Sequence, residues 1–433
     1  MIIKEPARDV PVLLQTDVVV AGGGPGGVAA ALAAARGGAK VVLIERYSHL
    51  GGLATGGLVL ILSGFDDGVQ SLFKGIPLEI SKKLEEMNGI LVPEKGHCGT
   101  VDAEALKYLS LKLLEEAGVT VFFHALVAGG QQLLDGRIAV IMETKSGRQA
   151  VVARIAVDGT GDADIAHFLG AECERGHKGI GMVFRLGNVD FAELAEFRRT
   201  HPNKIKELVA AEHKLWGRGW VSLGNRELRP GVEWVNNTIL PASDALDTMN
   251  LARTQSALQK KAWAIAEFRR KNMPGYENSY LLETACQLGV RETRRVIGEY
   301  MLTLDDVHHQ RTFPDMICKS GAFFHRGVSY DIPYHCLVPK RVDNLLIVGR
   351  CISVDTRAQE CIRVIPPCLA TGQAAGTAAA LAVKKGVTPR HVNMHELQDR
   401  LRADGAILEQ PSSEPGKVFD LTYMFGNSPG GGD

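Results

Sequence analysis

Residues 16–45 read TDVVVAGGGPGGVAAALAAARGGAKVVLIE. The β-branched run TDVVVA suits a strand buried on both faces, and it stops at GGGPGG. The alanine-rich stretch that follows is a strong helix former closing on Gly37 and Gly38, and KVVLIE at 40–45 reads as a second strand. Strand, tight turn, helix and strand within about 30 residues make the βαβ unit of a doubly wound sheet. Gly22, Gly24 and Gly27 stand at the dinucleotide fingerprint spacing, with Pro25 and Gly26 between them. The first glycine permits the turn, the second lets backbone approach a pyrophosphate, and the third lets helix and strand touch. Glu45, ending the second strand, is placed to accept bonds from ribose hydroxyls and to repel a 2′-phosphate. The bland alternative is a structural βαβ turn.

Outward from this unit, Glu45-Arg46 leads to GGLATGG at 51–57, a second glycine loop close behind the first. Gly51, Gly52, Ala54 and Thr55 are read there as passing close to a pyrophosphate and a flat ring, which favours FAD over NAD; the alternative is a surface loop. Asp158-Gly159-Thr160-Gly161-Asp162, after a strand ending at Val157, offers a third approach through Gly159 and Gly161, or a plain turn. Asp102 caps an amphipathic helix, and VTVFFHALV at 119–127 is a strand candidate whose end, Val127, joins the expected cofactor contacts. Alternating runs around 133–142 and 150–157 add strands. From about 176 to 335 the pattern loosens into long helices near 244–271 and 278–301; NLLIVG at 344–349 then restores a buried strand, and 368–386 reads as a closely packing helix.

The expected fold is therefore α/β: a Rossmann-like, doubly wound, discontinuous FAD-binding domain with an inserted α+β substrate domain. Its boundaries are read as 1–175 and 336–409 for the cofactor domain, 176–335 for the insertion and 410–433 for a loosely held tail.

Composition narrows the function. Lys plus Arg and Asp plus Glu both total 49, so no field favours nucleic acid or an anionic membrane. No run approaches the roughly 20 apolar residues of a membrane span, and the amino terminus lacks a leader pattern, so a cytoplasmic location is expected. The 8 cysteines lack paired spacing and read as reduced thiols; Cys351, Cys361 and Cys368 read as packing residues rather than cluster ligands, and no metal is expected.

Together with LGVRETRRVIGEYMLT at 288–303, YDIPYHCLVPKRVDNLLIVGRCIS at 330–353 and IRVIPPCLATGQAAG at 362–376, the glycine loops resemble the FAD-dependent oxidoreductase family. That family is distantly related to the fumarate reductase and succinate dehydrogenase flavoproteins and to the glutathione-reductase-like FAD fold. The resemblance spans nearly the whole chain. It implies FAD as cofactor and places Gly349, Arg350 and the backbone from Ile362 through Arg363 and Pro367 to Cys368 against the flavin. Pro366 and Pro367 suit the first turn of a helix whose positive end favours negative charge on the flavin. Many relatives read C-I-S-A-T-H-E-A where this chain has Cys351-Ile352-Ser353-Val354-Asp355-Thr356-Arg357-Ala358, so the histidine is replaced by Thr356 and the acid by Arg357. Likewise His335 stands where an arginine is common. His49 resembles a covalent flavin attachment position, with its offset to Gly56 one residue wrong.

His335, His325 and Arg357 are candidates for proton transfer or substrate contact, each against a structural reading. Arg291, with Arg294 and Arg295, clamps a substrate carboxylate or pairs with Glu292 and Glu299 along one helix face. The expected activity is hydride transfer between a small organic substrate and the flavin, with an unassigned electron acceptor and a homodimer as an option. An oxygen-using oxidase or monooxygenase, an electron-transfer subunit of a larger complex, and a nucleotide-binding protein without redox chemistry are the alternatives.

Overall fold

The computed structural model describes residues 2–4, 6–63, 65, 67, 69–91, 98–216, 223–224, 228–321 and 327–409. Strand β1 (Val12–Ala21) runs into helix α1 (Pro25–Arg36) and strand β2 (Val41–Ile44). Val18, Val19, Val20 and Leu43 are fully buried, as β-branched and apolar side chains covered on both faces of a parallel sheet should be. The helix Ala103–Glu116, its Asp102 cap accepting from the Glu104 amide at 2.8 Å, returns the chain to β3 (Thr120–Phe122), parallel to β2.

The single strand expected at 119–127 is two. His124 takes a left-handed φ of 54° and turns the chain out of β3 into β4 (Leu126–Gln132). β4 and β5 (Ile138–Thr144) form an antiparallel meander that ends in β6 (Gly147–Asp158). β6 lies parallel to β1, and β7 (Leu345–Ile347), nearly two hundred positions further on, extends the sheet on the other side of β6. The parallel order is thus β3-β2-β1-β6-β7, a doubly wound sheet.

Helix α2 (Ile365–Lys385) covers this sheet beside α1. A β-carbon on Gly372 would collide with the Gly26 carbonyl, and one on Gly376 with that of Ala30. Because the two contacts advance together along both helices, α1 and α2 run parallel. Their first turns therefore point the same way, with α2 starting about 10 Å further out at 1.5 Å per residue.

The segment after β6 forms a separate antiparallel sheet, in which Gly179–Gly187 pairs with Glu233–Ala242, Tyr280–Thr284 and Gly289–Val290. Helix Thr248–Asn272 packs on it, matching the first long helix expected. The second, expected over 278–301, is absent: that stretch is short strands, including Arg294–Val296 paired with Cys173–Arg175. Backbone pairing with a strand about a hundred residues earlier overrides local helix preference there. Arg291, Arg294 and Arg295 consequently do not share a helix face. The tail 410–433 and His325 lie outside the described residues. Among the described residues no helix is long and apolar enough to cross a membrane, and no group of His, Cys, Asp or Glu is arranged for a metal ion.

Candidate functional site

The first glycine turn is held from below and open above. Gly22 has φ of 94°, and a β-carbon on it would overlap the Gly159 carbonyl. Gly27 is tighter: its β-carbon would stand 1.8 Å from the Gly22 carbonyl oxygen, where helix meets strand. Gly24 differs, since a β-carbon there would meet no protein atom within 4 Å. Its empty side faces the cleft, as a backbone approached by a ligand requires. Glu45 fixes the turn by accepting from the Gly23 amide at 2.6 Å and the Tyr47 amide at 2.8 Å. Burial raises its pKa against those two bonds, so further donors, such as ligand hydroxyls, would favour its ionised form.

Above this turn lies an open cleft at the carboxyl ends of β1, β2 and β6. From the first turn Gly22, Gly24, Pro25, Gly26, Glu45 and Arg46 line it; from the second, Gly52 and Ala54. Val127, Gly159, Gly161, Gly349, Arg350, Arg363 and Cys368 complete the expected set that reaches it. The others sit behind its wall. Gly27 is under the turn, Gly51 is pressed on Thr55, and the Thr55 hydroxyl is spent on the Leu50 carbonyl at 2.6 Å. Ile362 and Pro367 are buried, and the Ile362 carbonyl faces the Cys368 thiol.

Tyr47, Leu126, Thr160, Asp164 and Gln287 also line the cleft and were not among the expected contacts. Thr160 sat inside the Asp158–Asp162 motif already noted, and Asp164 two residues beyond it. Gln287 arrives from the distant antiparallel sheet and carried no local signal.

The polar groups of the cleft suit a phosphorylated ligand. Arg350 donates to Asp162 at 2.9 Å through Nη2, while its buried Nη1 and the buried Gln287 Oε1 have no hydrogen-bond partner among the described residues. Burial pushes the Asp162 carboxyl up, but Arg350 and Arg46 outweigh it and hold it low. Orphaned donors and acceptors in a cleft wall are costly unless something fills them. The first turn of α1 adds unpaired N–H groups, and α1 and α2 both set positive dipole ends on the same side, Pro366 and Pro367 leaving α2 few amides of its own.

Asp158, at the end of β6, pins the Asp158–Asp162 turn by accepting from the Thr160 hydroxyl at 2.6 Å and the Ala166 amide at 3.0 Å. Full burial pushes its pKa up to about 6. With the folded value above the unfolded one, its contribution to stability is complete below about pH 4 and is lost as pH rises through about 6. Asp158→Asn removes that dependence, so its stability relative to the parent should improve by about 2–3 kcal/mol between pH 4 and 7 in urea titrations.

A family model described as FAD dependent oxidoreductase matches residues 17–401. The chain belongs to the FAD-dependent oxidoreductase family. It is an enzyme, and FAD is its cofactor. No curated protein sequence matches it. Among solved structures it is similar to p-nitrophenol 4-monooxygenase PnpA from Pseudomonas putida DLL-E4, at 12% identity over 95% of this chain and 92% of that one, with a TM-score of 0.50. It is similar to BexE at 14% identity, covering 90% of this chain and 69% of that one, with a TM-score of 0.50. A geranylgeranyl bacteriochlorophyll reductase-like protein from Thermoplasma acidophilum matches at 15% identity over 90% of this chain and 84% of that one, with a TM-score of 0.48. At these identities the likeness is one of fold.

In this FAD-dependent oxidoreductase the expected catalytic residues are dispersed. His335 does not line the cleft; its Nδ1 lies 2.5 Å from an Asp315 carboxylate oxygen, and that hydrogen bond raises its pKa. Arg357 is exposed on a turn. Thr356 spends its hydroxyl on Glu292, at 2.9 and 2.8 Å from the two carboxylate oxygens. His49 is buried and off the cleft lining, with its Nε2 where a Gly56 β-carbon would be. Arg294 bonds Asp164 at 2.9 Å and Arg295 bonds Glu292 at 2.5 Å, so both are structural pairs. Arg291 alone of the three lacks a carboxylate partner among the described residues; it donates to the Gly179 carbonyl at 2.6 Å.

Proposed function

We propose that this enzyme binds FAD across the cleft and exchanges a hydride between the flavin and a small organic substrate. The observation that carries the reading is the Gly24 face: a fingerprint turn whose second glycine alone opens onto empty space, beside the spare Arg350 Nη1 and two helix amino termini. Gly22, Gly24, Pro25 and Gly26 present backbone to the pyrophosphate, and Glu45 accepts from the adenosine ribose. Gly159, Gly161, Gly349 and Arg350 hold the next part of the cofactor, and the amino terminus of α2 favours negative charge beyond it. When bound, the flavin supplies the hydride acceptor and donor.

The protein's own task is then to orient and to dry the site. Leu53, Leu126, Val127, Val348 and Ile365 give the cleft an apolar lining that excludes water, and Gln287 offers a carbonyl oxygen from the second sheet. The segment 176–335, carrying Arg291, is proposed as the substrate-binding part.

Anaerobic mixing of the purified protein with panels of hydroxy acids, amines and sugars tests this. Bleaching of the bound flavin by one class, with reoxidation by air over minutes, is the expected result. Reoxidation within seconds coupled to an oxygenated product would replace hydride exchange by oxygen chemistry.

A further inference from the structure

Arg291 sits in a cluster of charges between the antiparallel sheet and the cleft. Lys178 lies 2.9 Å from Glu360 and 3.5 Å from Glu292, and donates to Gln359 Oε1 at 2.7 Å. Arg363 bonds Glu360 through Nε at 3.0 Å, and Arg295 pairs with Glu292 and, at 3.0 Å, with Glu174. Each acid of the cluster is therefore answered by a cation. Among the described residues Arg291 is the one left over, with a backbone carbonyl and no carboxylate on its guanidinium.

Arg291 does not itself line the cofactor cleft, but its backbone is tied to the cleft wall. The buried Gln359 amide donates to the Arg291 carbonyl at 3.0 Å and to the Arg350 carbonyl at 3.3 Å, joining the cluster to the cleft wall. Arg350 and Arg363 both line that wall. The strand opposite carries glycine at 179 and 181, and Nη1 of Arg291 lies 3.5 Å from where a Gly181 β-carbon would stand. Burial, then repulsion from Arg363, pushes the Arg291 pKa down to about 10 even against Glu360. A half-buried guanidinium beside a second one, with no carboxylate bonded to it among the described residues, is relieved by an anion.

We infer that Arg291, with Arg363, receives a carboxylate of the substrate, which makes this an oxidoreductase of small organic acids. The inference rests on the reading of the cleft as the flavin site. A planar fork on a carboxylate is the strongest hydrogen-bonded pair available to a side chain, and lysine does not reproduce it.

Calorimetric titration of the holoenzyme with benzoate and succinate, against benzamide and succinamide, tests it. The carboxylates should bind at least tenfold tighter than the amides and perturb the flavin visible band. Arg291→Gln should weaken carboxylate binding about a hundredfold, with Arg291→Lys recovering part and flavin content unchanged in both. Equal binding of acids and amides by the parent protein, or unaltered acid binding in folded Arg291→Gln, overturns the inference. Flavin content is read separately, so a colourless preparation that still selects acids through Arg291 would count against the cofactor reading and for the carboxylate site.

Discussion

Alanine at Gly27 should give a protein that no longer retains FAD. The added β-carbon would stand 1.8 Å from the Gly22 carbonyl oxygen, backbone against backbone, with no flexible side chain to move aside. The first turn of α1 must then lift off β1, and the turn that presents Gly24 is lost. A shift of this kind costs several kcal/mol, so FAD affinity should fall at least about a thousandfold and the melting temperature should drop with it. Gly24→Ala separates the two effects. Gly24 has φ −69° and ψ 179°, which alanine adopts freely, and its β-carbon meets no protein atom. That variant should melt within a degree or two of the parent yet bind FAD at least about tenfold more weakly, because the methyl occupies the ligand's side of the turn. Equilibrium dialysis with FAD and thermal melts of both variants decide it; a Gly24→Ala protein that binds as tightly as the parent would remove this turn from the site.

Arg269→Met should be the most destabilising single change in the antiparallel-sheet region. Arg269 is fully buried between Glu212, bonded through Nε at 3.0 Å and Nη2 at 2.8 Å, and Glu233, bonded through Nη1 at 2.9 Å. Burial opposes the charge on Arg269, but Glu233 and Glu212 outweigh it and hold the proton more firmly than usual. Removing the arginine leaves two carboxylates uncompensated in a dry interior, which costs about 3–5 kcal/mol. Denaturant unfolding at pH 7 measures this. Replacing Glu212 and Glu233 by glutamine as well should recover part of the loss, since the buried negative charge goes with them. A loss under about 1 kcal/mol in Arg269→Met would show that water or rearrangement compensates the acids.

The parts of the fold legible in the sequence are those whose signal is local. β1, α1 and β2 declare themselves by β-branched runs, alanine and glycine within one short window, and α2 by its small residues and its Pro366-Pro367 start. Gly22, Gly24, Gly159 and Gly161 were readable from their spacing after strands, although what they press against is distant: Gly22 meets the Gly159 carbonyl and Gly161 the Arg350 side chain. What escaped depends on distant pairing. The Tyr280–Thr284 strand and the Arg294–Val296 strand are extended because Gly179–Gly187 and Cys173–Arg175 offer them backbone partners. An arginine-rich stretch flanked by Leu288 and Ile297 reads as helical until that partner is known. Gln287 reaches the cleft by the same route. The split of β3 from β4 turned on one left-handed residue, His124, a conformation histidine seldom declares in advance. The residues singled out by contrast with relatives, His335 and Thr356, are occupied by Asp315 and Glu292, partners that only the tertiary structure supplies. The carboxylate alternative for Arg291 was open in the sequence; what the fold adds is that Arg294 and Arg295 have acids and Arg291 has none among the described residues.

The central claim is that FAD occupies the cleft above the Gly22–Gly27 turn. The most direct test is the visible spectrum of the purified protein, with mass analysis of the cofactor released on denaturation, for the parent and for Gly24→Ala. The account predicts about one FAD per chain in the parent and a reduced load in a folded Gly24→Ala protein. A parent protein that is colourless and stays so after incubation with FAD, or a fully loaded Gly24→Ala variant, would contradict it.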